Sequence, residues 1–239
     1  MAQGAVVRRG GAADEPVCSP SPEATSSASG EGVGGEAVVE AGGSWYDRRI
    51  FLRSHASMRV ISGTAKGRQL KAVPGDRTRP VTDRVKEALF DILGSAVREA
   101  RFLDLFAGTG SVGIEALSRG AREAVFVEKG RPALDTIRFN LEHTHLSERG
   151  RIVRADVFEF LQGRPQAFEY VYIAPPQYKN LWSAALRSID AQPAWLANDG
   201  EIIIQIHPRE YQPIALQQFE PIDERRYGST LLVFYARRD

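Results

Sequence analysis

The sequence predicts an α/β protein with a mostly parallel sheet covered by helices on both faces. An antiparallel hairpin closes its C-terminal edge, and a small β-hairpin and helix precede it. Three observations predict this. Strand-length apolar runs alternate with helix-length segments from residue 101 onward. A glycine-rich turn joins the first of those strands to a helix. The last two apolar runs are joined across Tyr227, Gly228 and Ser229, too short a link for a crossover.

In chain order, residues 59–62 and 68–71 read as two short strands flanking Gly63 to Gly67. Thr82 can cap a helix that runs to Leu93 and stops at Gly94. Val85, Leu89, Ile92 and Leu93 fall on one face of it. Strands follow at 101–106, 124–128, 152–155, 170–173 and 201–206. Between them lie helices at 111–119, closed by Gly120, at 132–142 with proline in the first turn, at about 157–161, and at 181–189. Strands at 222–226 and 231–235 end the chain.

Composition narrows the classes. Of 239 residues, 43% are hydrophobic and 26% charged, ordinary for a globular protein with a real core. No run approaches the length of a membrane helix, and the N-terminus lacks a secretory pattern. The one cysteine, Cys18, excludes an internal disulfide framework or a cysteine-rich zinc site. A cytoplasmic monomer is expected. Residues 1–57 hold nine of the 22 glycines and few large apolar side chains, so this segment is expected to be disordered. A transit peptide, or an overextended start with Met58 as initiator, are the alternatives. Beyond it, Arg59, Lys66, Arg68, Lys71, Arg77, Arg79, Arg84 and Lys86 face only Asp76 and Asp83, a basic footprint suited to nucleic acid.

The sharpest motif is Asp104-Leu105-Phe106-Ala107-Gly108-Thr109-Gly110-Ser111, between a strand and a helix. Gly108 and Gly110 allow a tight turn and close approach of a ligand. A carboxylate beside that turn suits a cationic amino-acid head group and would repel a pyrophosphate. That favours S-adenosylmethionine over NAD. Glu128, followed by Lys129, ends the next strand, where an acid can accept from ribose hydroxyls. Asp156, followed by Val157, ends the third, where it can accept from the adenine amine. Each acid alone also fits a helix cap or a solvated loop. Together they line one crevice.

After the fourth predicted strand comes Ala174-Pro175-Pro176-Gln177-Tyr178. It is similar to the [Asp/Asn]-Pro-Pro-[Tyr/Phe] loop of amino-group methyltransferases acting on bases. Proline fixes the backbone and aims carbonyl acceptors at an exocyclic amine. An aromatic ring then stacks on the base. Ala174 offers no side-chain acceptor. Gln177 stands at the aromatic position, with Tyr178 one place later. A rigid turn without catalytic use is the alternative.

Residues 58–239 resemble the bacterial small-subunit rRNA guanine-N2 methyltransferases of the RsmD family. The resemblance rests on Met58-Arg59-Val60-Ile61-Ser62-Gly63, on Arg79-Pro80, and on residues 83–90. It extends through residues 103–110, 115–121 and 126–129, and Arg226-Tyr227-Gly228-Ser229-Thr230. It implies a Rossmann-like class I S-adenosylmethionine-dependent fold over 96–239, with an RNA-contacting hairpin and helix over 58–95. It also implies methyl transfer to guanine N2 in small-subunit rRNA or its assembling particle. Asp104, Phe106, Gly108, Gly110, Glu128, Lys129, Asp156 and Val157 are then expected at the cofactor. Arg59, Lys66, Arg68, Arg79 and Arg84 are expected at the RNA, with Arg79 nearest the acceptor. Ala174 departs from the family's Asp-Pro-Pro. A non-catalytic rRNA-binding assembly factor, or an amino methyltransferase on another substrate, are the competing readings.

His143, His145 and His207 read as surface or capping residues, and no metal site is expected. Trp182 and Trp195 read as packing residues, with Trp182 near enough to the Pro-Pro loop to form a pocket wall.

Overall fold

The computed structural model describes residues 58–75 and 81–238. The expectations for residues 1–57, for Asp76 and Arg77, and for Arg79 and Pro80 lie outside the described residues. Helix α1 (Asp83–Leu93) comes first. Then β1 (Arg101–Leu105), α2 (Ser111–Ser118), β2 (Glu123–Glu128), α3 (Arg131–Thr144) and β3 (Gly150–Arg154) alternate. They continue as α4 (Val157–Leu161), β4 (Phe168–Ile173), α5 (Leu181–Ala191) and β5 (Leu196–Ile206). Strands β6 (Phe219–Tyr227) and β7 (Thr230–Arg237) complete one sheet in the order β3-β2-β1-β4-β5-β7-β6. Strands β1 to β5 are parallel, and β7 is antiparallel to β5 and β6. The order reverses between β1 and β4, and ligands of such sheets bind where these strands end.

Each face of the sheet carries its own apolar layer. Phe102, Phe126, Tyr170, Tyr172, Ile203 and Phe234 pack with α1, α2 and α3. Leu103, Val125, Val171, Ile173, Ile202 and Ile204 pack with α4 and α5. This period-two division of nearly all-apolar strands is what a doubly covered sheet requires. Met58, Val60, Ala65 and Leu70 join the first layer, so the segment before α1 shares its core with the sheet.

Helix α1 begins at Thr82, whose hydroxyl accepts from the Val85 N–H at 3.4 Å. It ends at Gly94, where φ is 54°. Its buried face is Val85, Lys86, Leu89, Phe90 and Leu93, whereas Ile92 is 41% exposed. The face is therefore rotated from the expected one, because a buried lysine counted there as polar. Strand β5 starts five residues before the expected 201, running through Asn198-Asp199-Gly200. A register shift opposite Phe168 and Tyr170 absorbs that turn-like sequence. At Gly200 a Cβ would lie 2.9 Å from the Glu169 carbonyl oxygen.

The expected N-terminal strand pair is reduced to one antiparallel bridge, Arg59 with Gln69. Val60 donates to the Arg68 carbonyl at 2.9 Å and Leu70 to that of Met58 at 2.7 Å. Side chains of α2 and α3 take the place of further ladder bonds. Gly63 sits at φ 81° against α2, where a Cβ would overlap the Ser118 carbonyl.

Candidate functional site

The glycine turn leaves β1 one residue earlier than expected. Phe106 adopts φ 63°, a left-handed conformation rare for an aromatic residue. Gly108 and Gly110 follow at φ 54° and 75°. The Ala107 N–H bonds the Val127 carbonyl at 3.1 Å, and Gly110 closes back on the Ala107 carbonyl at 2.7 Å. The turn therefore sits over the ends of both β1 and β2. At Gly113 a Cβ would collide with the Phe126 ring, so α2 lies close on the sheet.

Asp104 is 2% exposed. Among the described residues its carboxylate has one hydrogen-bond partner, the Gly113 N–H at 3.1 Å. Burial, opposed by that bond and reinforced by nearby Glu128, pushes its pKa up to about 8. A buried carboxylate with one neutral partner is a site that gains from a cation. Register places Tyr172 of β4 beside it, and burial with Asp104's charge pushes that phenol well up. The Tyr172 hydroxyl donates to Gln205 Oε1 at 2.6 Å.

Glu128 ties two loops together. Its Oε2 accepts from the Gly108 N–H at 3.1 Å, while Oε1 accepts from Lys129 and Gly130 at 2.9 and 2.7 Å. Asp156 caps α4 through the Phe158 N–H at 2.9 Å, and its other oxygen meets Lys129 Nζ at 3.3 Å. The Phe158 bond, more than the Lys129 charge, holds its pKa down. Val157 is buried in the second apolar layer. The aromatic edge of Phe158 meets Phe106 at 6.5 Å. The expected cofactor residues thus gather at the ends of β1, β2 and β3.

The Pro-Pro loop lies next to them. Ala174 is half-buried against the first apolar layer, and Pro175 is buried. Pro176, Gln177 and Tyr178 are exposed, Tyr178 to 67%. Tyr178 and Asn180 both have positive φ, 61° and 51°. Glu210 holds this turn by accepting from the Tyr178 N–H at 2.7 Å, and the Tyr178 ring lies 5.8 Å from that of His207. His207 itself caps a short turn, its Nδ1 accepting from the Arg209 N–H at 3.2 Å. Trp182 is a packing residue, fully buried, its indole N–H without a partner among the described residues.

The basic footprint divides. Lys66 and Arg84 are exposed. Arg59 pairs with Asp83 at 3.0 Å, and Arg68 donates to the His143 carbonyl at 2.6 Å. Lys86, counted within the footprint, is 1% exposed and cannot reach RNA. It lies 3.4 Å from Glu115 and donates to the Arg59 carbonyl. Burial drives its pKa down while Glu115 opposes that shift.

Three anchors stand out only in the structure. Glu115, fully buried, accepts from the Ile61 and Ser62 N–H groups at 2.8 and 2.9 Å and from Arg119 Nε at 2.9 Å. Ser118 Oγ donates to the Ser62 carbonyl at 2.5 Å and accepts from the Ala65 N–H at 3.0 Å. Asn140 accepts from the Lys71 N–H at 2.8 Å and donates to the Lys71 and Thr109 carbonyls at 3.1 and 3.0 Å. The N-terminal segment is thereby fixed to α2 and, through Asn140, to the glycine turn. Only long-range contacts reveal these roles, and no local motif announces them.

The comparisons agree with this architecture. The family model described as "Conserved hypothetical protein 95" matches residues 58–236. YlbH, a provisionally assigned rRNA methyltransferase of Bacillus subtilis (strain 168), is 38% identical over 76% of this chain and 100% of its own length. Ribosomal RNA small subunit methyltransferase D of Escherichia coli (strain K12) is 32% identical over 75% of this chain and 90% of its own. The structure of yhhF from Escherichia coli, a provisionally assigned methyltransferase, superposes with a TM-score of 0.68 at 30% identity. That match covers 76% of this chain and 98% of the other. With the sheet order, the glycine turn and the strand-end acids already in place, these matches establish that the chain belongs to the RsmD-type family, with a Rossmann-like class I methyltransferase fold.

Proposed function

We propose that this rRNA methyltransferase moves a methyl group from S-adenosylmethionine to the exocyclic N2 amine of a guanine in small-subunit rRNA. One observation carries the reading. Asp104 and Tyr172 are register partners on adjacent parallel strands. The glycine turn after β1 and the Pro-Pro loop after β4 therefore leave the sheet side by side, a donor site beside an acceptor site.

The cofactor is S-adenosylmethionine, which when bound supplies an electrophilic methyl on a cationic sulfonium. The residues present fit it. Asp104 is a buried acid whose carboxylate has one hydrogen-bond partner among the described residues, and pairing with the ammonium would relieve its raised pKa. Glu128 and Asp156 stand where ribose hydroxyls and the adenine amine need acceptors, and Phe106 with Phe158 offers an apolar edge. At the acceptor side, Pro175 fixes the path and the carbonyls of Ala174 and Pro175 accept the amine N–H groups. Tyr178 stacks on the base. The amine lone pair then faces the methyl, so positioning dominates the rate. The proton lost from the methylated amine passes to solvent. The exposed Lys66 and Arg84, with Arg59, contact the RNA backbone. A monomer acting in the cytoplasm, on rRNA or its assembling particle, is sufficient.

A second reading, a silent rRNA-binding assembly factor, is favoured by Ala174 alone. Primer extension on rRNA from a deletion strain, compared with its parent, separates the two. The expected result is loss of one methylated guanine. An unchanged modification map would sink the catalytic reading. In the purified protein, Ala174→Asp tests whether the loop works with backbone acceptors. A fall in activity is expected, because an added carboxylate would compete with the Ala174 and Pro175 carbonyls for the amine N–H groups.

A further inference from the structure

We infer that the outer face of α3, with Lys71 and Arg68, is a stacking platform for an unpaired base of an RNA strand. This rests on the rRNA reading above and adds a surface that it does not require. The buried side of α3 is already complete, with Leu134, Ile137 and Leu141 in the core. Phe139 is not part of it and stands 47% exposed, an apolar ring held in solvent. Its neighbour one turn on, the exposed His143, lies nearly parallel to it, at 10° with centroids 5.9 Å apart. Two nearly parallel rings on a helix surface present the kind of face on which a nucleobase stacks.

The surrounding charge selects the partner. Lys71 Nζ sits over the Phe139 ring, 5.1 Å from its centroid, where a stacking base would displace it toward that base's own phosphate, and Arg68 donates to the His143 carbonyl at 2.6 Å. Both cations are within a side chain's reach of a phosphate beside a stacked base. Arg131 and Lys71 line a groove at the start of the same helix. The acids nearby are Asp135, which Arg138 pairs at 3.0 Å, and exposed Glu142. Cations are in excess, and aromatic rings framed by cations match single-stranded nucleic acid. Position supports the same occupant. Asn140, adjacent to Phe139, bonds the Lys71 backbone and the Thr109 carbonyl of the cofactor turn. An RNA strand on this face would border the donor site.

The test uses the full chain and two fluorescent probes of about twelve nucleotides, single-stranded oligo(A) and an RNA duplex. Phe139→Ala is expected to weaken single-strand binding at least about five-fold and to leave duplex binding within about two-fold, because only unpaired bases can stack. Phe139→Trp should restore it. Lys71→Gln should weaken both probes and flatten the salt dependence. Affinity for S-adenosylmethionine should not move in Phe139→Ala, which excludes misfolding. The inference is overturned if Phe139→Ala binds oligo(A) like the parent, or loses both probes equally. It is also overturned if the parent itself ignores oligo(A). In that last case, continued methylation of small-subunit particles would leave the methyl-transfer reading standing without the platform.

Discussion

The glycine turn after β1 and the Pro-Pro loop after β4 leave adjacent strands, but their anchors differ in kind. The first is held from below and behind by Asp104, Glu128 and Asn140, each bonded to the turn or to its helix. The second is exposed beyond Pro175 and held at Tyr178 by one carboxylate, Glu210. A site for a constant cofactor can be rigid before the ligand arrives. A site for a base drawn out of a folded RNA has to accept a shape that forms on contact, and a lightly tethered loop allows that.

The largest effect should come from the anchor network itself. Glu115→Ala strands Lys86 in the core and orphans two backbone N–H groups. Breaking such a buried pair costs about 3–5 kcal/mol. Urea unfolding should show it, with Glu115→Gln milder. If Glu115→Ala were neutral, the contrast between a rigid and a loose half would fail. Next, Glu128→Ala removes the acceptor for the Gly108 N–H and, on the proposed reading, for ribose hydroxyls. Calorimetry should show S-adenosylmethionine affinity falling roughly ten- to a hundred-fold, as expected when a hydrogen bond to a charged group is lost.

Below about 8 the Asp104 carboxyl keeps its proton, and an ammonium pairs only with the ionised form. Binding therefore expels a proton, and affinity should rise with pH up to about 8 and then level off, by at most about ten-fold per unit. Asp104→Asn keeps an acceptor for Gly113 and should bind more weakly with that slope abolished. A slope that survives in Asp104→Asn belongs to another group. The smallest effect is assigned to the loose half. Glu210→Ala should raise the KM for the RNA substrate about two- to five-fold while leaving cofactor affinity unchanged, since one hydrogen bond to an exposed turn is lost. Equal loss of both would mean that the two loops are one rigid unit.

The geometry of the candidate cofactor half is legible in the sequence, because it is local: a strand, a glycine turn and an acid at a strand end. Asp156 shows the limit of choosing between readings, since it caps α4 and also lies just past the end of β3, paired with Lys129. The basic footprint is legible as charge but not as exposure. Nothing local distinguishes the exposed Arg84 from the buried Lys86 two places on, whose partner Glu115 lies on a different helix. The same blindness turns the expected face of α1 toward Ile92. In β5, Asn198-Asp199-Gly200 carries the chemistry of a turn, and only a neighbouring strand with a register shift keeps it extended. Asn140 and Ser118 give no signal at all, because their partners are backbone atoms far away in the chain.

The amide of Asn140 has a consequence for how far this enzyme can be trimmed. Deleting the residues through Lys71 would open that side chain, now 0% exposed, to water and leave the Thr109 carbonyl as its remaining partner of the three bonds, while uncovering the core that Met58, Val60, Ala65 and Leu70 now close. A minimal version beginning at α1 should thus be poorly soluble and heat-labile, because the residues from Met58 to Lys71 are part of the same folding unit as the sheet.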